Sequence, residues 1–222
     1  MKRKESFIND KRRVSYLSAA YYRINHGKSV LIEGGYGAGK TRFLELIKPK
    51  KLRGVWVESL NNVHEILASI LRELDYEASA SYRNSPHYLK MICGLPGYFL
   101  LIDEANDLDR RVWPYLKRII DAGIPIVLAG LPKVRTFLTT EHPDILSRLK
   151  PLFLYPIEVE DFILEYKDFE PEGIEQIYAF VKGDMRKFDE ILTDCRERAK
   201  ELKHSFVGVN LVLSLLSELQ HP

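Results

Sequence analysis

A glycine-rich segment followed by lysine and threonine is the part of the sequence best suited to chemistry. It reads Gly34, Gly35, Tyr36, Gly37, Ala38, Gly39, Lys40 and Thr41, and it fits G-x-x-x-x-G-K-[ST] at every fixed position. Glycines allow positive φ angles, so the backbone N–H groups can turn inward around a phosphate. Lys40 can then bridge the outer phosphates of a nucleotide, and the Thr41 hydroxyl can ligate Mg²⁺. The segment predicts a phosphate-binding loop whose contacts extend to Arg42.

The sequence on either side of this segment favours the same interpretation. Residues 29–33 form an apolar run typical of a buried strand, and residues 42–47 are helix-like. A glycine-rich turn that matches the pattern by chance would need neither neighbour. The order of strand, loop and helix is the one in which this motif binds phosphate.

Two carboxylates follow a second apolar run, residues 98–102, about sixty residues downstream. Parallel strands covered by helices read as uninterrupted apolar runs, and ligands bind beyond their carboxyl ends. We therefore predict that Asp103 lies in the Mg²⁺ shell and that Glu104 is the general base that polarises the attacking water. A pair of solvated acids capping the next helix is the alternative, and the phosphate loop upstream favours the catalytic interpretation.

The pattern of the chain predicts an α/β core followed by a small helical domain. Apolar runs at 29–33, 54–58, 98–102, 125–129 and near 152–155 alternate with helical segments, which predicts a five-stranded parallel sheet flanked by helices. We expect residues 1–157 to form this nucleotide-binding core and residues 158–222 to form an all-α lid domain. Residues 168–173, rich in proline and glutamate, are the linker candidate.

Apolar residues at helical spacing support the helical assignments. One amphipathic helix is predicted at residues 63–74, and three further stripes lie in the second half of the chain. The predicted stripes are Ile174, Ile177, Tyr178 and Val181; Met185, Phe188, Ile191, Leu192, Cys195, Ala199 and Leu202; and Val207, Leu211, Leu215 and Leu219.

Composition excludes several other classes of protein. The 222 residues are 45% hydrophobic and 29% charged, which is ordinary for a globular protein. No apolar run approaches the roughly twenty residues of a membrane span, so we expect a cytoplasmic protein without membrane contact. Cys93 and Cys195 lie in no metal-binding pattern and indicate neither a disulfide framework nor a zinc site. A net charge of +2 means that any DNA contact depends on local basic patches.

Short motifs downstream resemble those of the AAA+ ATPases. Residues 126–132 are similar to the end of that family's sensor-1 strand, although Leu131 stands where a polar residue is usual. Ser147, Arg148 and Leu149 resemble the segment that carries the arginine finger. Residues 183–186 are similar to the sensor-2 motif G-x-x-R. The order of these motifs most resembles the transposition regulators and general-secretion-type ATPases, which are related to initiators and helicase loaders.

This resemblance implies roles for two arginines. Arg148 would reach the nucleotide of a neighbouring subunit, and Arg186 would reach from the lid of its own subunit, both to balance charge on the departing phosphate. Solvated surface positions are the alternatives for each. The resemblance further implies ATP and Mg²⁺ as cofactors, a homo-oligomeric ring or filament, non-specific DNA binding and a partner protein. Leu131 bears on how efficiently ATP would be hydrolysed and leaves binding unaffected.

Two other functions remain open at this level. An ATP-gated interaction switch of the archaeal signalling type is suggested by the segment at residues 7–13, in which Asp10 replaces that family's arginine. A stand-alone kinase or NTPase is the other. Basic clusters, typical of solvated faces but suited to DNA when repeated in an oligomer, occur at residues 2–4, 11–13, 48–53 and 110–111.

Overall fold

The computed structural model describes residues 11–49, 51–57, 62–79 and 82–220. Strands and helices alternate along the chain, and helices follow the last strand. The strands are β1 (Ser29–Glu33), β2 (Arg53–Val57), β3 (Tyr98–Ile102), β4 (Ile126–Gly130) and β5 (Leu149–Phe153). The helices are α1 (Lys11–Asn25), α2 (Lys40–Leu46), α3 (Val63–Glu73), α4 (Ser85–Gly94), α5 (Trp113–Asp121), α6 (Lys133–Glu141), α7 (Pro143–Leu146), α8 (Val159–Glu165), α9 (Pro171–Val181), α10 (Met185–Glu201) and α11 (Val209–Gln220).

The five strands form one parallel sheet in the order β2-β3-β4-β1-β5. β1 lies between β4 and β5, with Val30 opposite Val127 and Ser29 opposite Leu149. The predicted fold class is confirmed. Because all the strands run in one direction, the segments that follow β1, β3 and β4 meet at the same edge of the sheet.

Burial explains why these runs form strands. Every residue of β1, β3 and β4 is buried, as expected for strands covered on both faces, whereas the edge strand β2 exposes Trp56. The predicted amphipathic helix is present as α3, whose apolar side chains join a core with those of the sheet and of α4 and α5. Each large apolar side chain removed from water contributes roughly 1.5–3 kcal/mol.

Strand β5 begins earlier than predicted. It starts at Leu149 and includes Lys150 and Pro151, which interrupt the apolar run and hid the first half of the strand. β5 is the last strand of the sheet, and an edge position tolerates a proline that has no N–H to donate.

Contacts divide the described residues into two units. An α/β unit comprises 15–35 and 40–154, and a helical unit comprises 11–14, 36–39 and 155–220. The predicted domain boundary after residue 157 stays a prediction. In the described residues, no helix is both long enough and apolar enough to cross a membrane.

The helical unit has its own apolar core, formed by α8 to α11. The first two predicted stripes lie largely in it, with Ile177 and Phe188 fully buried. The third stripe was wrong in part: α11 buries Val212 and Leu216, whereas Leu219 is 44% exposed. A helix repeats every 3.6 residues, so a spacing of four drifts off the buried face.

The predicted linker at residues 168–173 was also wrong. Phe169 is buried and pairs with Val207 in an isolated parallel bridge. Asp168 accepts a hydrogen bond of 2.6 Å from Arg196, and α9 begins at Pro171. The proline that indicated a linker occupies the first turn of a helix, where no N–H is needed.

Candidate nucleotide-binding site

The glycine-rich loop connects the end of β1 to the start of α2, as predicted. Gly34 N donates to the carbonyl oxygen of Gly130 at 3.2 Å, which fixes the start of the loop to the end of β4. Gly37 and Gly39 have φ angles of +71° and +76°. Residues with a Cβ rarely adopt these φ angles, so the backbone path requires glycine at both positions.

Lys40 is buried, with 6% of its surface exposed, and its side chain contacts the loop that precedes it. Its Nζ donates to the carbonyl oxygens of Gly34 at 3.2 Å and Gly35 at 2.9 Å. The ammonium group is therefore bound by carbonyl oxygens of the loop itself, which a phosphate oxygen can replace. Arg42, predicted to contact the nucleotide, pairs instead with Glu45 at 2.8 Å in this structure, so its nucleotide contact stays a prediction.

Thr41 and Asp103 come together although they are far apart in sequence. The Thr41 hydroxyl donates to Asp103 Oδ2 at 2.5 Å. Asp103 follows the end of β3, and its other carboxylate oxygen accepts a hydrogen bond of 2.9 Å from Glu104 N. A hydroxyl and a carboxylate side by side are oxygen donors of the kind that Mg²⁺ prefers.

Glu104 has an unusual backbone conformation. Its φ of 47° and ψ of 44° place it in the left-handed region, and a short 3-10 helix, Ala105–Asp107, follows. Residues other than glycine are rare in this region, and such strain collects at functional sites. The predicted general base therefore stands at a sharp, strained turn at the carboxyl end of β3.

Sequence reasoning missed two polar residues at the carboxyl ends of the strands. Asn106 Oδ1 accepts a hydrogen bond of 3.2 Å from Leu131 N, which connects the acidic segment to the end of β4. Glu33, the last residue of β1, has a side chain only 3% exposed, and Arg135 Nη1 lies 3.7 Å from its Oε2. Burial raises the pKa of Glu33 above its ordinary value, and the charge of Arg135 offsets only part of this rise. A carboxylate that ends an apolar run was the available signal for Glu33.

Solved structures resemble this chain, although no protein-family model and no curated protein matches it. The ORC1 protein of Aeropyrum pernix, solved in complex with DNA, has a TM-score of 0.74 and 17% identity, and the match covers 98% of this chain and 69% of that one. The A. pernix ORC2 protein, with ADPNP and ADP, has a TM-score of 0.73 and 17% identity, and the match covers 98% of this chain and 72% of that one. The RuvB Holliday junction branch migration motor of Thermotoga maritima has a TM-score of 0.66 and 20% identity, and the match covers 99% of this chain and 72% of that one. At these identities the likeness is one of fold, and the fold is that of the AAA+ phosphate-loop NTPases.

Arg148 lies far from the phosphate loop of its own chain. It directly precedes β5, and a strand of five residues spans about 16 Å at roughly 3.3 Å per residue. The loop follows the carboxyl ends of the parallel strands, whereas Arg148 precedes the amino end of β5. Arg148 and the loop are therefore at opposite ends of the strands. Arg148 Nε donates to Asp121 Oδ1 at 2.6 Å, and its Nη1 donates to the carbonyl oxygen of Asp144.

Arg186 lies in the first turn of α10 and is exposed. Its backbone N–H and that of Lys187 donate to Asp184 Oδ1 at 3.1 and 3.2 Å. Gly183 precedes them with a φ of +90°, and its carbonyl oxygen would lie 2.0 Å from a Cβ built on Gly37. Within the helical unit, the turn before Arg186 thus contacts the tip of the phosphate loop.

The basic clusters differ in how much free charge they offer. Arg110 is exposed and its guanidinium lies 5.7 Å from the ring centre of Phe137. Arg111 forms an ion pair with Asp109 at 2.8 Å, and this pair lowers the pKa of Asp109 to about 2. Lys51 is exposed. Lys50 and the cluster at residues 2–4 lie outside the described residues.

Proposed function

We propose that this chain is an AAA+ ATPase that binds ATP at residues 34–41 and hydrolyses it with the help of Glu104. One observation carries the proposal. The loop that surrounds Lys40 lies at the same sheet edge as Asp103, whose carboxylate accepts a 2.5 Å hydrogen bond from Thr41. A glycine-rich loop, a buried lysine and a hydroxyl–carboxylate pair are the parts that nucleoside triphosphate hydrolysis needs.

Each residue of this set has a separate role in the proposal. The backbone N–H groups of the loop and the Lys40 ammonium would bind the phosphates, while Glu104 would accept a proton from the attacking water. Thr41 and Asp103 would hold Mg²⁺, since both offer oxygen ligands at one place. When bound, the ion supplies positive charge that balances the phosphate oxygens.

A neighbouring copy would complete the site. Arg148 is at the sheet edge opposite its own loop, so it can serve as an arginine finger only for the nucleotide of another subunit. This geometry supports assembly into a ring or filament in which ATP lies between subunits. Arg186, beside the turn that meets the loop, would contact the nucleotide of its own subunit.

DNA binding belongs to the proposal because charge is divided unevenly along the chain. Residues 1–154 contain 25 Lys and Arg against 16 Asp and Glu, whereas residues 155–222 contain 8 against 15. Residues 1–154 are therefore better suited to a phosphate backbone than residues 155–222. The α/β unit alone, residues 15–35 and 40–154, keeps an excess of basic residues, 19 Lys and Arg against 14 Asp and Glu. The similar ORC1 protein was solved with DNA, and RuvB is a Holliday junction motor. We infer non-specific DNA binding and the regulation or recruitment of a DNA-transaction partner, of the transposition-regulator or helicase-loader kind.

Titration with a fluorescent ATP analogue tests the nucleotide site. Lys40→Ala is expected to lower affinity roughly 10- to 100-fold, because the phosphate loses a charged hydrogen-bond donor. Glu104→Gln is expected to bind the analogue normally but to release phosphate roughly 100-fold more slowly or worse. Lys48→Ala, an exposed lysine beyond α2, is the matched control and should behave as wild type. Normal binding by Lys40→Ala would refute the assignment of the site.

Fluorescence anisotropy with two unrelated duplexes tests the DNA proposal. Affinity should require ATP, depend little on sequence and fall steeply with salt. Neutralising Lys50 with Lys51, or Arg110 with Arg111, should lower the salt slope by about 1 for each DNA phosphate that the variant no longer neutralises. In the Arg110 and Arg111 variant, most of the change in salt slope should come from Arg110, since Arg111 is paired with Asp109.

The control for that experiment removes the same charge from the acidic part of the chain. Lys200→Gln with Lys203→Gln alters two exposed lysines there and should leave DNA affinity unchanged. Absence of binding with ATP or ADP at every salt concentration would contradict the proposal and favour the ATP-gated interaction switch.

A further inference from the structure

Glu33 is a buried carboxylate at the base of the phosphate loop for which the proposed chemistry has no use. Its side chain is 3% exposed, and Arg135 lies 3.7 Å away, which is an ion pair but too long for a hydrogen bond. Within the part of the chain that the structure describes, its Oε2 accepts no hydrogen bond. One oxygen of this carboxylate is therefore oriented toward Arg135 without full compensation for its burial.

A carboxylate at this position works against stability. Val30, Leu31 and Ile32 before it are fully buried, and an apolar residue would continue the strand without the desolvation penalty. Buried ionisable groups with one specific charged partner are candidates for functional residues. The pair of Glu33 and Arg135 meets that description beside a phosphate-binding loop.

Arg135 is attached firmly to the end of β4. It lies in the first turn of α6, where Val134 packs so closely on Gly130 that a Cβ there would lie 2.8 Å from Val134 Cγ2. The carbonyl oxygen of Gly130 accepts the hydrogen bond from Gly34 N. Few covalent and hydrogen-bonded links therefore separate the Arg135 backbone from the first glycine of the loop.

The turn after β4 lacks a polar side chain at Leu131, and Arg135 can supply one. Leu131, at the position where a polar side chain was expected, is 9% exposed and apolar. Arg135 has 56% of its side chain exposed, so its guanidinium can bind a ligand while one nitrogen faces Glu33. A guanidinium offers five donors in a planar fork, which suits simultaneous contact with a carboxylate and a phosphate.

We propose that Arg135 contacts the terminal phosphate of bound ATP in place of the polar side chain that Leu131 does not supply, and that Glu33 is its positioning residue. The proposal rests on ATP binding at Lys40. ADP lacks the terminal phosphate, so Arg135 makes the protein distinguish ATP from ADP.

Parallel titrations with fluorescent ATP and ADP analogues test this role. Arg135→Gln should weaken ATP binding roughly tenfold or more, as expected when a charged hydrogen bond is removed, and leave ADP binding unchanged. Glu33→Gln should weaken ATP binding less, because Arg135 remains but is no longer held. The double variant should bind ATP no worse than Arg135→Gln alone, since Glu33 acts through Arg135. Lys133→Gln, on the same helix, is the control and should change neither affinity.

Other outcomes would overturn the inference in recognisable ways. Equal losses of ATP and ADP affinity in Arg135→Gln would mean that the pair is structural, and strictly additive effects would mean that Glu33 does not position Arg135. If Glu33→Gln fails to fold, as thermal unfolding would reveal, the comparison of Arg135→Gln with Lys133→Gln still decides the role of Arg135. A wild-type protein that binds neither nucleotide would remove the proposed function itself, which is a different result.

Discussion

Gly37 lies at a position of the phosphate loop that does not tolerate a side chain. Its φ is +71°, and a Cβ would lie 2.0 Å from the carbonyl oxygen of Gly183. Gly35, two residues earlier in the same loop, would place a Cβ in open space. The two glycines look alike in the sequence, yet only Gly37 is under both constraints.

Gly37→Ala should therefore destabilise the protein and weaken nucleotide binding, whereas Gly35→Ala is the matched control. A left-handed conformation costs a residue with a Cβ roughly 1–2 kcal/mol, and the collision with the Gly183 carbonyl adds to it. Urea unfolding and titration with an ATP analogue measure the two effects. Equal behaviour of the two variants would show that neither constraint operates in solution.

At the scale of single residues, sequence reasoning succeeded where a backbone pattern fixes the position. Lys40, Thr41 and Asp103 were predictable neighbours, because the loop and the acidic segment follow parallel strands whose ends share an edge. Glu33 and Asn106 were not, since their partners, Arg135 and Leu131, are defined by how β4 and α6 pack. Their importance depends on burial and contact, which a single sequence does not display.

At the scale of elements, the start of α10 shows how a local motif positions a candidate site residue. Asp184 caps the helix through the backbone N–H groups of Arg186 and Lys187. Lys182 and Gly183 before it both have positive φ angles, which reverse the chain after α9. The cap therefore fixes the backbone position of Arg186 in the first turn of α10.

Asp184→Ala should lower the free energy of unfolding by about 1 kcal/mol, which is the usual contribution of such a cap. Asp184→Asn is the control, because asparagine accepts the same hydrogen bonds and should cost only a few tenths of a kcal/mol. Urea unfolding followed by circular dichroism compares them. Identical losses in both variants would mean that charge, and not the cap, is what Asp184 contributes.

Two of the elements that sequence reasoning misplaced have one physical cause in common. β5 and the segment at residues 168–173 contain prolines, which indicate an interruption but are tolerated at a sheet edge and in the first turn of a helix. Elements with continuous apolar patterns, such as β1, β3 and α3, were predicted nearly to the residue. Packing decides whether a proline ends an element or lies within it.

At the scale of the whole molecule, the alternation of strands and helices was enough to predict the fold class, and the solved neighbours agree with it. Arg148 is the residue for which we propose a role beyond its own chain. It lies at the sheet edge opposite its own phosphate loop and pairs with Asp121 at 2.6 Å. Either Arg148 provides only its structural contacts, to Asp121 and to the carbonyl oxygen of Asp144, or it also serves the nucleotide of a second copy.

Two single variants distinguish these roles. Asp121→Asn breaks the same ion pair while keeping the arginine, so a purely structural role predicts that it behaves like Arg148→Ala. A finger role predicts that Asp121→Asn hydrolyses ATP normally, whereas Arg148→Ala binds ATP and hydrolyses it roughly 1,000-fold more slowly or worse.

The most direct measurement is the rate of phosphate release from a mixture of Arg148→Ala and Lys40→Ala proteins. Each variant alone should be nearly inactive, but mixed assemblies pair an intact loop from one subunit with an intact Arg148 from the next. With random mixing at equal amounts, about a quarter of the interfaces are complete, so up to about a quarter of the wild-type rate should return. A mixture no more active than the sum of its parts, together with normal hydrolysis by Arg148→Ala alone, would contradict an ATPase whose site is completed by its neighbour.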